Sequence, residues 1–167
     1  MRIIYDIPKL KKIISNIYTL TGLSIDFMDT DHNSLCKQDT KYDYCMKMQN
    51  EYNMKPLCDK SDSMLYERCY QSKKFECHIC YAGCFDATFP VIKNNVIVGF
   101  VIMGRVKSSA SPNNPLYPED EEVCRLYEEI PYFTQEKIDA IQSLLQNTVF
   151  ESAIFFDYDP LMDQIVS

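Results

Sequence analysis

Residues 80–105 read CYAGCFDATFPVIKNNVIVGFVIMGR, and this stretch decides the fold class. Residues 96–103 are almost wholly apolar and rich in β-branched side chains, so they belong inside a sheet. Asn94 and Asn95 reach left-handed backbone angles at low cost, which suits a two-residue turn between antiparallel strands. Gly99 and Gly104 interrupt the second strand where a bulge or a close backbone approach fits. A sheet built on this hairpin should leave one face available to something small, and the identity of that occupant decides the function.

Working outward, residues 7–20 read as a helix. Pro8 sits at its start, and Leu10, Ile13, Ile14, Ile17 and Leu20 recur on one face, with Thr21 and Gly22 as the stop. Residues 23–28 alternate and predict a strand; the Asp/Asn-rich residues 29–33 predict a turn, and residues 34–36 a returning strand. Residues 42–49 read as a short helix, and Pro56 opens a longer one through about residue 71. Residues 75–81 read as a strand leading into the hairpin, and residues 108–118 as a loop with several prolines. An acidic helix follows from Pro118, its carboxylates suiting a helix N-terminus. Thr134 caps a last helix, with Ile138, Ile141, Leu144, Leu145 and Val149 on its apolar stripe, running to about residue 156. This order predicts an α+β fold, an antiparallel sheet with helices packed on one side.

The 167 residues suggest a single domain with a real hydrophobic core. A net charge of −7 with no Lys/Arg-rich tract argues against direct contact with nucleic acid or an anionic membrane. No apolar run is long enough to span a bilayer, and residues 1–8 lack the pattern of a signal peptide, so a cytoplasmic location is expected.

Eight cysteines need an explanation. Size and the missing signal argue for reduced thiols, most of them small buried hydrophobes. The sharper reading gives some of Cys58, Cys69, Cys77 and Cys80 to a metal, because Cys77 and Cys80 have the two-residue spacing that presents two sulfurs to one ion. A zinc ribbon needs a second such knuckle, and the sequence has none. Catalytic readings find little support. His32 lies in a turn, His78 stands beside Cys77 where strand geometry turns the two apart, and the four glycines form no phosphate-binding loop. No cofactor and no catalytic residue is expected.

The chain resembles the PocR sensory domain, the ligand-binding module at the front of some AraC-type transcription regulators and in bacterial signalling kinases. The matching residues are Thr21 and Gly22, the turn at 29–33, Cys58 with Ser61 and Asp62, the Cys80-Tyr-Ala-Gly-Cys84 segment, Pro90, Gly99 and Gly104. The likeness covers about residues 7–155. Tyr81 stands where the family usually has His, Cys84 where it has Leu, and Arg105 where Gln is common. The resemblance implies a variant of the PAS fold. It implies binding of a small organic molecule such as a short alcohol, a diol or another hydrocarbon derivative, and no catalysis.

A pocket is therefore expected between the sheet and the middle helices, with Cys58, Asp62, Cys80, Tyr81, Phe89, Met103 and Arg105 as candidate ligand-binding residues. Cys58 and Asp62 are four residues apart and share a helical face. An inward carboxylate at Asp62 needs a hydrogen-bond donor from ligand or protein, and without one it belongs in solvent. Tyr81 offers a ring with a hydroxyl, suited either to an amphiphilic ligand or to core packing. Arg105 can pair a ligand carboxylate or sit in solvent at a strand end. Phe89 and Met103 fit a pocket wall or plain core equally well. Three functions compete: a small-molecule sensor, which the residues and the resemblance favour; a cysteine-based redox or metal sensor; and a protein-interaction module. The stripe of the last helix exceeds what one small sheet obviously needs. That predicts a homodimer through it; the alternative is a helix that covers its own sheet.

Overall fold

The computed structural model describes residues 1–38 and 42–158. The chain opens with β1 (Arg2–Tyr5) and α1 (Ile7–Thr21), followed by the hairpin of β2 (Ser24–Met28) and β3 (Ser34–Lys37). Two helices, α2 (Asp43–Glu51) and α3 (Lys55–Ser72), lead to β4 (Glu76–Ile79), β5 (Phe85–Lys93) and β6 (Val96–Val106). Helices α4 (Glu121–Glu129) and α5 (Gln135–Asn147), a single 3₁₀ turn and β7 (Ile154–Asp157) complete it. The main sheet is five-stranded and antiparallel in the order β3-β2-β6-β5-β4, while β1 and β7 pair as a separate ribbon. This is the expected α+β class.

The expected β5–β6 hairpin closes through Asn94 and Asn95, both at positive φ (51° and 61°) as a two-residue turn of this kind requires. Helix α1 begins with the Asp6 carboxylate accepting from the Lys9 N–H at 3.1 Å. It ends at Gly22, whose φ of 75° gives the left-handed cap, its N–H donating to the Tyr18 carbonyl.

Side chains alternate across the sheet. Ile25, Phe27, Ala87, Phe89, Val101 and Met103 point to one face, where Leu10 and Ile14 of α1 and Ile138 and Leu145 of α5 close the main core. This is the expected helical layer. Asp26, Asp86, Thr88, Phe100, Ile102 and Gly104 point to the other face. There α3 gives a second, partial cover, with Cys69 packed on Met28 and Phe100. A further cluster under α2 and α4 buries Tyr44, Met48, Cys84 and Tyr127.

The structure departs from the sequence expectations at two points. The last helix does not continue to residue 156. It stops at Asn147, where Thr148 leaves helical angles and its hydroxyl donates to the Leu144 carbonyl. The apolar residues beyond belong to the 3₁₀ turn and β7, which bury Phe150, Ala153 and Ile154 in the main core. The second is an addition: β1, a strand that the sequence pattern does not predict. Its partner lies at the far end of the chain, so no local pattern announces it. Tyr5 ties the ribbon to the main sheet by donating its hydroxyl to the Val98 carbonyl at 2.5 Å.

Candidate functional site

A cavity of about 320 Å³ lies between α3 and the Asp26–Asp86–Gly104 face of the sheet. Helix α3 supplies one wall. Ser61, Leu65 and Cys69 are buried at helical spacing toward the sheet, and the same face carries Cys58 and Asp62 to the cavity, with Lys55 and Asp59 at its mouth. Strand β2 adds Ser24 and Asp26, α2 adds Gln49, and β5 and β6 add Asp86, Ile102, Gly104 and Arg105.

The floor depends on a bulge. Phe85 pairs with Val106 and Asp86 with Gly104, so Arg105 is the extra residue of β6. Its φ is 61°, a left-handed conformation that costs a long side chain on the order of 1–3 kcal/mol unless the surroundings hold it. Here the Arg105 N–H donates to Asp86 Oδ1 at 3.1 Å. Gly104 makes that bond possible, because a Cβ at this position would stand 1.9 Å from Asp86 Oδ1. The buried Asp86 carboxylate therefore lies directly over a glycine. Its Oδ2 is 3.8 Å from Nε2 of His78, a buried nitrogen with no hydrogen-bond partner.

Asp62 faces Asp86 across this space. It is exposed through the cavity mouth yet crowded by the concave walls. That crowding, and secondarily the Asp86 carboxylate, push its carboxyl up to about 6, against the opposing pull of Arg105 and His78. Burial also raises Asp26, whose carboxylate accepts the Ser34 hydroxyl at 2.6 Å. Burial raises the Cys58 thiol, so it meets the cavity as a neutral, weakly polar group. The Arg105 guanidinium lies 5.2 Å from the Tyr42 ring centre. The Lys55–Asp59 pair at 2.6 Å is solvent-exposed and adds little to stability. Chemically, the cavity presents carboxylate acceptors next to amide and guanidinium donors on an otherwise narrow, partly apolar floor.

The sequence candidates divide accordingly. Cys58, Asp62 and Arg105 line the cavity. Cys80 lies beside it, packed with Cys84 in the cluster under α2. Tyr81 is 42% exposed in the turn between β4 and β5 and does not line the cavity. Phe89 and Met103 are fully buried on the opposite face among α1 and α5. A one-residue difference in strand parity puts Ile102 and Gly104 in the cavity and Met103 behind it, and apolar composition does not distinguish the two faces. Cys58, Cys69, Cys77 and Cys80 do not converge: Cys69 is buried against Phe100 and Cys77 is exposed. Among the described residues no group of three His, Cys, Asp or Glu side chains is placed to hold a metal ion.

Asp86 was not among the sequence candidates. Its signal was available: a carboxylate within the apolar run Phe85-Asp-Ala-Thr-Phe89 must have a local donor to be buried. Gln49 and Asp26 carry no comparable signal. A second recess of about 270 Å³ lies elsewhere, between Tyr18, Tyr42, Tyr44 and Ile130.

Comparison with known proteins adds the following. The model of a family described as the sensory domain found in PocR matches residues 4–151. No curated protein matches the chain in sequence. Among solved structures, the GAF domain/HD domain protein from Geobacter sulfurreducens aligns with a TM-score of 0.41 and 10% identity, over 84% of this chain and 86% of that one.

Proposed function

The chain belongs to the family of sensory domains found in PocR, and from that premise we propose that it is a small-molecule sensor that binds its ligand in the cavity between α3 and the sheet. A sensory role points away from catalysis. The observation that carries the reading is the convergence of Cys58 and Asp62 from α3 with Asp86 and Arg105 from the hairpin around one cavity.

The lining narrows the ligand class. Carboxylates at Asp62, Asp86 and Asp26 accept hydrogen bonds, and Ile102 with the Cys58 thiol supplies a short apolar contact. A short alcohol or diol meets both demands, its hydroxyls donating to Asp62 and Asp86 while its carbons lie on Ile102. A pure hydrocarbon brings no donor to the carboxylates that line the cavity. The wider role is that of the sensor portion of a bacterial transcription regulator or signalling protein. Output passes through a homodimer in this reading, with Leu144, 55% exposed on α5, at the contact.

A thermal-shift panel of short alcohols and diols tests the ligand class. A ligand that binds only the folded protein stabilises it by about 2.7 kcal/mol at a hundredfold excess over Kd. The expected result is stabilisation by at least one diol, lost in Asp62→Asn and retained in Tyr81→Ala. A panel with no stabilising member, or an Asp62→Asn variant that responds like the wild type, contradicts the reading.

A further inference from the structure

Three cysteines gather beside the cavity. Cys84 is buried immediately before β5, in the cluster under α2 against which Cys45 of that helix and Cys80 of the preceding turn are packed. Cys80 and Cys84 straddle a tight turn in which the Cys80 N–H donates to the Cys84 carbonyl at 2.8 Å and the Gly83 N–H to the Cys80 carbonyl at 2.9 Å. Residues hydrogen-bonded across an antiparallel pair have Cα atoms about 5.5 Å apart, inside the ~4.4–6.8 Å span of a disulfide. Cys80 and Cys45 are only partly buried, so a small oxidant reaches them.

We propose that Cys80 and Cys84 form a reversible disulfide on exposure to a hydroperoxide, with Cys45 as a third sulfur that exchanges into it. In the first step the Cys80 thiolate attacks the peroxide O–O bond, giving a sulfenic acid and releasing one equivalent of water or alcohol. The Cys84 thiol then displaces the sulfenic hydroxyl as water, forming the S–S bond. Two thiols lose two electrons and two protons, and the peroxide gains both. Attack of the Cys45 thiolate on the Cys84 sulfur releases Cys80 and moves the bond to Cys45–Cys84, tethering α2 to the sheet.

The local electrostatics support this order. The neighbouring Cys45 and Cys80, with burial, raise the Cys84 thiol well above the ordinary cysteine value, so it holds its proton. The same neighbourhood lowers the thiols of Cys45 and Cys80 below that value, which favours either of them over Cys84 as the attacking sulfur. The site also touches the cavity. Gln49 lies one helical turn along α2 from Cys45, and Asp86 follows Cys84 by two residues; both line the cavity wall. The disulfide itself does not depend on the ligand reading.

The test is treatment of the fully reduced chain with one equivalent of hydrogen peroxide, then alkylation of remaining thiols and peptide mass mapping. The expected result is the loss of two thiols per chain, an internal link that contains Cys84, and full reversal by dithiothreitol. Cys77→Ser keeps the link and Cys84→Ser abolishes it. Should the buried Cys84→Ser fail to fold, Cys80→Ser and Cys45→Ser decide: the first gives a Cys45–Cys84 link and the second a Cys80–Cys84 link. Oxidation confined to Cys77, no internal link in the wild type, or a link that persists without Cys84 overturns the proposal.

Discussion

Gly104 and Asp62 set the chemistry of the cavity one atom at a time. A methyl group at Gly104 collides with the Asp86 carboxylate and breaks the bond from the Arg105 N–H, since the Cβ has 1.9 Å of space. Gly104→Ala should therefore cost about 1–3 kcal/mol in urea unfolding, with ligand response reduced as Asp86 moves. Asp62 gives a pH signature. Its folded-state carboxyl is raised to about 6 by partial desolvation against the cavity walls and secondarily by Asp86, above the ordinary Asp value. The folded protein thus binds the proton more tightly than the unfolded chain. Its stabilising contribution is fully present below the unfolded value and is lost as pH rises through about 6. Asp62→Asn should raise stability near pH 7.5 and leave it almost unchanged near pH 4, in paired denaturation curves. An equal effect at both pH values contradicts the assignment. Cys58 and Asp62 were legible as cavity residues through the family motif, with their helical spacing in support, whereas spacing and a strand end alone left Asp62 and Arg105 equally at home in solvent. Asp86 was legible only as a charge in an apolar strand, and Gln49 not at all, because its place depends on how α2 docks.

At the scale of elements, local signals served well and long-range pairings did not. The Asn94–Asn95 turn, the Gly22 cap and the Thr134 cap each sit in a few consecutive residues, and each appears where the sequence puts it. The β1–β7 ribbon joins the two ends of the chain, and the strand parity that hides Phe89 and Met103 is set by register, so neither is written locally. Helix α5 tests the division of its apolar stripe. Leu145 is 2% exposed in the main core, whereas Leu144 faces out. Leu145→Ala should destabilise by about 2–5 kcal/mol. Leu144→Glu should leave folding nearly unchanged and convert a dimer to a monomer in light scattering at micromolar concentration. A wild-type chain that is already monomeric removes the homodimer from the proposal.

For the molecule as a whole, the sheet divides stability from sensing. One face is sealed by α1 and α5 over a continuous apolar core; the other carries the polar floor under α3. The α+β class followed from the order of the predicted elements, but the two-faced arrangement did not, because a helix such as α3 shows its buried positions without showing which face they meet. The central claim is that the polar face holds the ligand. The most direct measurement is a two-dimensional NMR titration of the ¹⁵N-labelled chain with the diol that gives the largest thermal shift. The account predicts saturable shifts at the amides of Cys58, Asp62, Asp86, Gly104 and Arg105, with Tyr18, Tyr44 and Ile130 unmoved. Saturable shifts confined to the Tyr18–Tyr44–Ile130 recess, with the amides of Asp62 and Arg105 unmoved, would contradict it.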